Sequence, residues 1–187
     1  MSELWITADS HFLHSNIAKY CGRPEEFNRI LMNNWNELVQ KDDVVLHLGD
    51  FMAGIGSYPN GHKIIKIIAA KLNGNKILVR GNHDYKPEVY YKEELWFTDV
   101  VKYFIIDDFF FCHYPLIIFP GDSKKVIAKK KYLLAMFKKE KCKYVIHGHI
   151  HSQNANLPMH FNACVDLHQY KPISFESIKE SFFRTPK

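Results

Sequence analysis

The apolar positions of this chain fall into short runs that stop abruptly at polar residues, with helically spaced stretches between them. Leu4-Trp5-Ile6-Thr7-Ala8, Val44-Val45-Leu46-His47-Leu48-Gly49, Ile77-Leu78-Val79 and Tyr144-Val145-Ile146-His147 have strand length; the second is continuous enough to read as a parallel strand covered on both faces. Phe27, Ile30, Leu31, Trp35, Leu38 and Val39 set a helix over 26–40, and Ile64, Ile65, Ile68 and Leu72 one over 61–72 that Asn73-Gly74 stops. A third, over 123–141, uses Val126, Ile127, Leu133, Leu134 and Phe137, with Lys129, Lys130, Lys131, Lys138 and Lys139 read as a solvated face. A shorter helix runs from His14 to Tyr20. Residues 51–60, with two Gly and one Pro, read as a loop, and 87–94 as a short helix or loop. Val100–Ile106 and Phe109–His113 flank Asp107-Asp108 as an antiparallel hairpin. Strands over 159–165 and 173–175 and a helix over 174–182 complete the chain, which shows no internal repeat.

The residues at the strand ends are of one chemical kind. Asp9 and His11 follow the first run, Asp50 the second, Gly81-Asn82-His83-Asp84 the third, His113 the aromatic run before it, and His149 and His151 the last. Open α/β sheets place their sites outside the carboxyl ends of the strands. In extended backbone, residues two apart face the same side, so Asp9 with His11 and His149 with His151 can each reach one cation. Asp9 also suits a helix N-cap, and His14 suits either a place beside the same ion or a packing role. His47 has the opposite parity to Asp50 and reads as a hydrogen-bonded core histidine; His147 lies before the Gly148 turn and reads as core or as a support behind the site. The collected N and O donors exceed what one tetrahedral ion needs and suit two ions sharing a carboxylate.

Composition narrows the setting. A length of 187 residues with 47% hydrophobic content suits one domain over 1–187. A formal charge of +5 favours anionic ligands without the concentrated basic surface of a dedicated nucleic-acid binder. Cys21, Cys112, Cys142 and Cys164 lack CxxC spacing and read as reduced core thiols of a cytoplasmic protein. Neither a signal-peptide pattern nor a membrane-spanning apolar stretch is visible.

In combination, Asp9-Ser10-His11, Gly49-Asp50, Gly81-Asn82-His83-Asp84, His113 and Gly148-His149-Ile150-His151 resemble the five-part pattern of the calcineurin-like metallophosphoesterase superfamily. Gly22-Arg23-Pro24, Trp35-Asn36, Cys112-His113-Tyr114-Pro115-Leu116 and residues 162–166 look like its small bacterial and phage members. The resemblance implies a four-layer α/β/β/α sandwich of two mixed β-sheets flanked by helices. It also implies two divalent metal ions (Mn, Fe, Zn or Ni), one held by Asp9, His11, Asp50 and His151 and the other by Asp50, Asn82, His113 and His149. His83 would then face the leaving-group oxygen, steadied by Asp84.

The activity so implied is hydrolysis of a phosphate ester by a metal-bridging hydroxide, with a small nucleotide-like substrate favoured. A nuclease acting on single-stranded nucleic acid is the alternative within the same chemistry, and a protein-binding scaffold the alternative outside it. Arg23 is a candidate for a substrate phosphate, against a surface ion pair with Glu25 or Glu26.

Overall fold

The computed structural model describes residues 2–153 and 157–183. Strands β1 (Leu4–Thr7), β2 (Val44–His47), β3 (Asn75–Val79) and β4 (Phe97–Val101) lie parallel in the first sheet, and β9 (Ile173–Ser174) pairs antiparallel with β1, giving the order β4-β3-β2-β1-β9. In the second sheet β5 (Phe104–Ile106) is antiparallel to β6 (Phe109–Phe111), which runs parallel to β7 (Tyr144–His147) and β8 (His160–Asn162). Both sheets are therefore mixed.

The period-two alternation of side chains explains why these strands carry few polar residues: both faces are covered. From β2, Val45 packs outward against α1 (Ser15–Cys21), α2 (Phe27–Leu38) and α3 (Gly61–Lys71), in a cluster with Ile17, Leu31, Trp35 and Ile65. Leu46 points the other way, into the layer between the sheets with Ile6, Val79, Phe111 and Ile146. From β6, Phe110 faces α4 (Lys124–Lys139) and Leu133, while Phe111 faces the inter-sheet layer. The result is helices, sheet, sheet, helix. Phe175 and Ile178 of α5 (Phe175–Phe183) reach into the inter-sheet layer.

Several element boundaries differ from the sequence reading. The apolar run from Val100 to Ile106 is not one hairpin strand. It breaks at Lys102-Tyr103, so that β4 finishes the first sheet and β5 opens the second. The pattern hides the break because Val101, Phe104 and Ile106 all pack against the inter-sheet cluster. Residues 87–94 hold a π-helical turn over Tyr90–Glu94 with Tyr91 buried, and the loop 51–60 holds a 3-10 turn over Ile55–Ser57. The expected strand over 159–165 is shortened to β8, followed by a 3-10 turn at Val165–Leu167.

Lys130 also departs from the expected solvated face: it is 1% exposed, with Nζ 2.7 Å from Asp122 Oδ2 and 4.5 Å from the Phe119 ring centre. It lies four residues after Val126 and three before Leu133, so helical spacing already placed it on the buried stripe. Among the described residues, no helix is long and apolar enough to cross a membrane.

Candidate metal centre

Three of the strand ends that carry site chemistry, those of β1, β2 and β7, leave the sheet through an unusual backbone. Asp9, His11, Asp50, His149 and His151 have φ values of 57°, 47°, 56°, 75° and 50°. Asp9 and His11 do converge, but through left-handed kinks and not through the extended backbone that the spacing suggested; His149 and His151 part instead, His149 toward His113 and His151 toward Asp9 and His11. A non-glycine residue in this region costs about 1–2 kcal/mol, and such strain clusters at functional sites. The kinks are held by Asp9 N–H donating to the Gly49 carbonyl at 3.0 Å and His11 N–H to the Asp50 carbonyl at 2.9 Å.

Two motif glycines are required by close approach. A Cβ on Gly81 would collide with the Asp50 carboxylate, and one on Gly148 with the Asp9 carboxylate. Gly81→Ala and Gly148→Ala should each displace the facing carboxylate, so metal titration of either variant by calorimetry should show weaker binding than wild type.

Asp50 sits at the middle of the group. Its Oδ2 is 3.5 Å from both His11 Nε2 and His113 Nε2, and its Oδ1 accepts the His83 backbone N–H at 2.7 Å. His113 Nδ1 lies 2.8 Å from the Leu48 carbonyl, which can only accept, so Nδ1 carries the proton. Its Nε2 lone pair then faces Asn82 Oδ1 at 3.1 Å, His149 Nδ1 at 3.2 Å and the Asp50 oxygen. Electron-rich atoms gathered this closely fit a shared cation.

On the other side of Asp50, both ring nitrogens of His11 are buried without a hydrogen-bond partner. The His11 ring centre is 5.1 Å from that of His151 and 5.0 Å from that of His83. Burial lowers the pKa of His11 well below its ordinary value and that of His149 to about 3, which keeps both rings in the neutral form a metal ion needs. Burial likewise raises the pKa of Asp9, whose two oxygens accept the His149 N–H at 3.1 and 2.9 Å.

Candidate metal-binding groups among the described residues are Asp9 with His11 and His151, His11 with Asp50 and His83, and Asp9 with Asp50 and His113; in each, the ligating atoms lie within 4.8 Å of one another. The last two share Asp50. A further group, Cys21 with His151 and Asp166, uses a carboxylate already engaged by Arg23.

Arg23 is neither a substrate-facing residue nor a surface ion pair. Its side chain is fully buried; Nε and Nη2 donate to Asp166 at 2.7 and 2.8 Å, and Nη1 and Nη2 donate to the carbonyls of Ser10 and Asp9, both at 2.8 Å. Asp166 in turn accepts from His151 Nδ1 at 2.9 Å, which leaves His151 Nε2 for the centre. Burial would raise the pKa of Asp166, but the hydrogen bonds from His151 and Arg23 outweigh it and hold the carboxyl well below the usual range. Sequence reasoning included Asp166 only as part of the 162–166 stretch and gave it no role; the local signal was a lone carboxylate directly after the apolar Ala163-Cys164-Val165. Arg23→Ala removes the guanidinium from a buried ion pair and leaves the carboxylate to His151 and the Cys164 thiol, so urea unfolding should show a loss of about 3–5 kcal/mol.

Asp84 also differs from expectation. Its oxygens do not face the His83 ring; they accept the backbone N–H groups of Asp50 at 2.6 Å, Gly81 at 2.9 Å and Phe51 at 3.2 Å. Burial, followed by the nearby Asp50 charge, pushes its pKa up to about 6. Asp84 thus ties the turns after β2 and β3 together. His83 is half-buried, and its ring centre lies 5.8 Å from that of His14, itself 5.3 Å from that of His11. His47 is fully buried, 2.8 Å from Ser10 Oγ, and burial pulls its pKa down to about 3. His147 lies behind the centre, with Nδ1 2.8 Å from the Gly148 carbonyl.

A family model described as calcineurin-like phosphoesterase matches residues 3–153. An uncharacterized protein of Methanocaldococcus jannaschii is 38% identical over 88 residues, 45% of this chain and 48% of that protein. The gene 66 protein of Mycobacterium phage D29 is 33% identical over 98 residues, 50% of this chain and 45% of the phage protein. The chain thus spans about half the length of the curated relatives it matches. The crystal structure of a protein of unknown function from Aquifex aeolicus superposes with a TM-score of 0.79 at 27% identity, covering 97% of this chain and 100% of that one.

Proposed function

The chain belongs to the calcineurin-like phosphoesterase family, and on that premise we propose that it hydrolyses phosphate esters with two divalent ions held around Asp50. The observation that carries this reading is the position of one Asp50 oxygen 3.5 Å from both His11 Nε2 and His113 Nε2, between two sets of N and O donors. Asp9, His11 and His151 complete one set, and Asn82, His113 and His149 the other. All are N or O donors, a chemistry that suits Mn, Fe, Zn or Ni. Such ions would supply a hydroxide nucleophile at neutral pH and offset the charge that builds on the phosphoryl oxygens.

The protein's own groups do the rest. The anionic oxygens of Asp9 and Asp50 set the charge that the ions balance. His83, half-exposed beside His11 with its backbone pinned by Asp50 Oδ1, donates a proton to the departing ester oxygen. Asp84 acts on the turn and not on the imidazole. Asp166 orients His151, so Asp166→Asn should weaken metal binding about 10–100-fold, read as a shifted metal titration by calorimetry. The substrate is a small nucleotide-like ester. Free Cys21, Cys112, Cys142 and Cys164 support a reducing, cytoplasmic setting.

The test is hydrolysis of bis(p-nitrophenyl) phosphate, p-nitrophenyl phosphate, cyclic nucleotides and single-stranded oligonucleotides with added manganese. Turnover of a small ester that a chelator abolishes supports the reading. No turnover of any of them by protein shown to carry metal would end it.

A further inference from the structure

Beside the centre lies a groove of about 560 Å³ whose inner end is formed by Gly81 and Asn82 and whose walls carry Tyr85, Tyr114, Tyr132, Lys102 and Lys129. Its size falls in the range of about 300–1,000 Å³ typical of small-ligand sites. We propose that this groove holds the base and a second phosphate of a short nucleotide diester whose scissile phosphate lies at the metal centre. This rests on the phosphoesterase reading and names the substrate class of the same site.

The walls match that ligand in two respects. Tyr85 and Tyr132 are 67% and 44% exposed, large flat rings at a cavity that each carry one lysine, Lys86 and Lys102, so a planar base would stack on the area the lysine leaves. Lys102 and Lys129 are exposed cations held over Tyr132 and Tyr114, at 5.6 and 5.5 Å from the ring centres. Neither is among the lysines that pair with carboxylates in the described residues. Two uncompensated ammonium groups beside stacking rings favour an anion on the same molecule as the base.

The groove is also built, and not merely open. Arg80 Nη1 donates to the carbonyls of Asp84 and Lys86 at 3.0 and 2.9 Å, which fixes the segment carrying Tyr85 from both sides. Lys102 stands at the break between β4 and β5, where the chain passes from one sheet to the other. Tyr114 packs on both His113 and His149, at 4.7 and 4.6 Å between ring centres, so one wall of the groove is in contact with the centre itself.

In the reaction, water adds its oxygen to phosphorus and the bond from phosphorus to the leaving nucleotide oxygen breaks. That oxygen takes up a proton, giving a phosphomonoester and an alcohol. The volume accommodates about one nucleotide beyond the scissile phosphate, which is why a short substrate is favoured over a polymer.

The experiment is calorimetric titration of the full metal-loaded chain with adenosine 3′,5′-bisphosphate, adenosine 5′-monophosphate, ribose 5-phosphate and inorganic phosphate, repeated for Tyr85→Ala, Tyr132→Ala and the double variant Lys102→Ala/Lys129→Ala. The bisphosphate should bind at least about tenfold tighter than ribose 5-phosphate, and each tyrosine variant should lose about tenfold, the range expected for one base–aromatic stack. The lysine double variant should lose the preference for bisphosphate over adenosine 5′-monophosphate. With a dinucleotide substrate, the tyrosine variants should raise KM more than they lower kcat.

Equal affinity for bisphosphate and ribose 5-phosphate, or wild-type affinity in all three variants, would overturn the proposal. Affinity that keeps rising with oligonucleotide length beyond the dinucleotide would overturn it in favour of a polymer. Tight, tyrosine-dependent bisphosphate binding by a chain that hydrolyses no phosphate ester would uphold the groove while removing the catalytic reading.

Discussion

Asp50→Asn is expected to strip both metal ions together and to lower kcat by more than about 100-fold, the upper end of what even an indirect ligand support costs. The substitution keeps the shape of the side chain, keeps an oxygen able to accept the His83 N–H, and retains a residue type that tolerates the left-handed backbone observed at φ 56°. What changes is the charge between His11 and His113. Without it, both sets lose the anion they share: one is left with His and Asn donors alone and the other with the single carboxylate of Asp9, and each binds a divalent ion weakly. Elemental analysis of wild type and variant after identical reconstitution should show up to two ions per chain in the first and less than one in the second. A variant that retained one full ion would mean that Asp50 serves a single site, and the shared-carboxylate reading would fail.

His83→Ala should act on chemistry with little effect on metal content. If the imidazole protonates the departing oxygen, its removal should lower kcat by about 10²–10⁴-fold for an alkoxide leaving group, the usual contribution of general acid catalysis. A p-nitrophenolate, which departs readily without a proton, should lose far less. A leaving-group series for both proteins, with metal measured in each, separates the possibilities. Equal losses across the series would make His83 a phosphate-orienting group; loss of one ion would make it a ligand, as its proximity to His11 and Asp50 permits. Asp84→Asn should not mimic it. That carboxylate meets three backbone N–H groups, and an amide can satisfy only part of that set, so its replacement should lower stability and disturb both turns instead.

The centre was legible in the sequence because each of its groups follows directly on an apolar run, and strand ends are where an α/β sheet delivers side chains. Asp9, His11, Asp50, Asn82, His113, His149 and His151 needed only that rule to be gathered. Arg23 and Asp166 did not follow it. They lie 143 residues apart, and nothing local to either marks it as the other's partner. Asp84 misled for a different reason: adjacency to His83 suggested a side-chain pair, while three backbone N–H groups from two turns competed for the same oxygens and won. The split between β4 and β5 was hidden because apolar patterning records burial and not which sheet provides it. Left-handed backbone at Asp9 and His149 has only a weak signature in residue type: Asp and His enter that region more often than other non-glycine residues, but most of them stand elsewhere.

The buried Arg23–Asp166 contact also bears on where this folding unit can be cut. The family match stops at residue 153, yet Asp166 lies beyond it, as do β8 and β9, each an outer strand of its sheet. A fragment trimmed to the matched span would carry every motif of the centre and still lose the counter-ion of a guanidinium that grips the carbonyls of Asp9 and Ser10. It would also bare the hydrogen-bonding edges of β1 and β7, which invites association between copies. Residues 157–183 are thus no dispensable addition: they form the outer wall against which the first motif of the chain is braced.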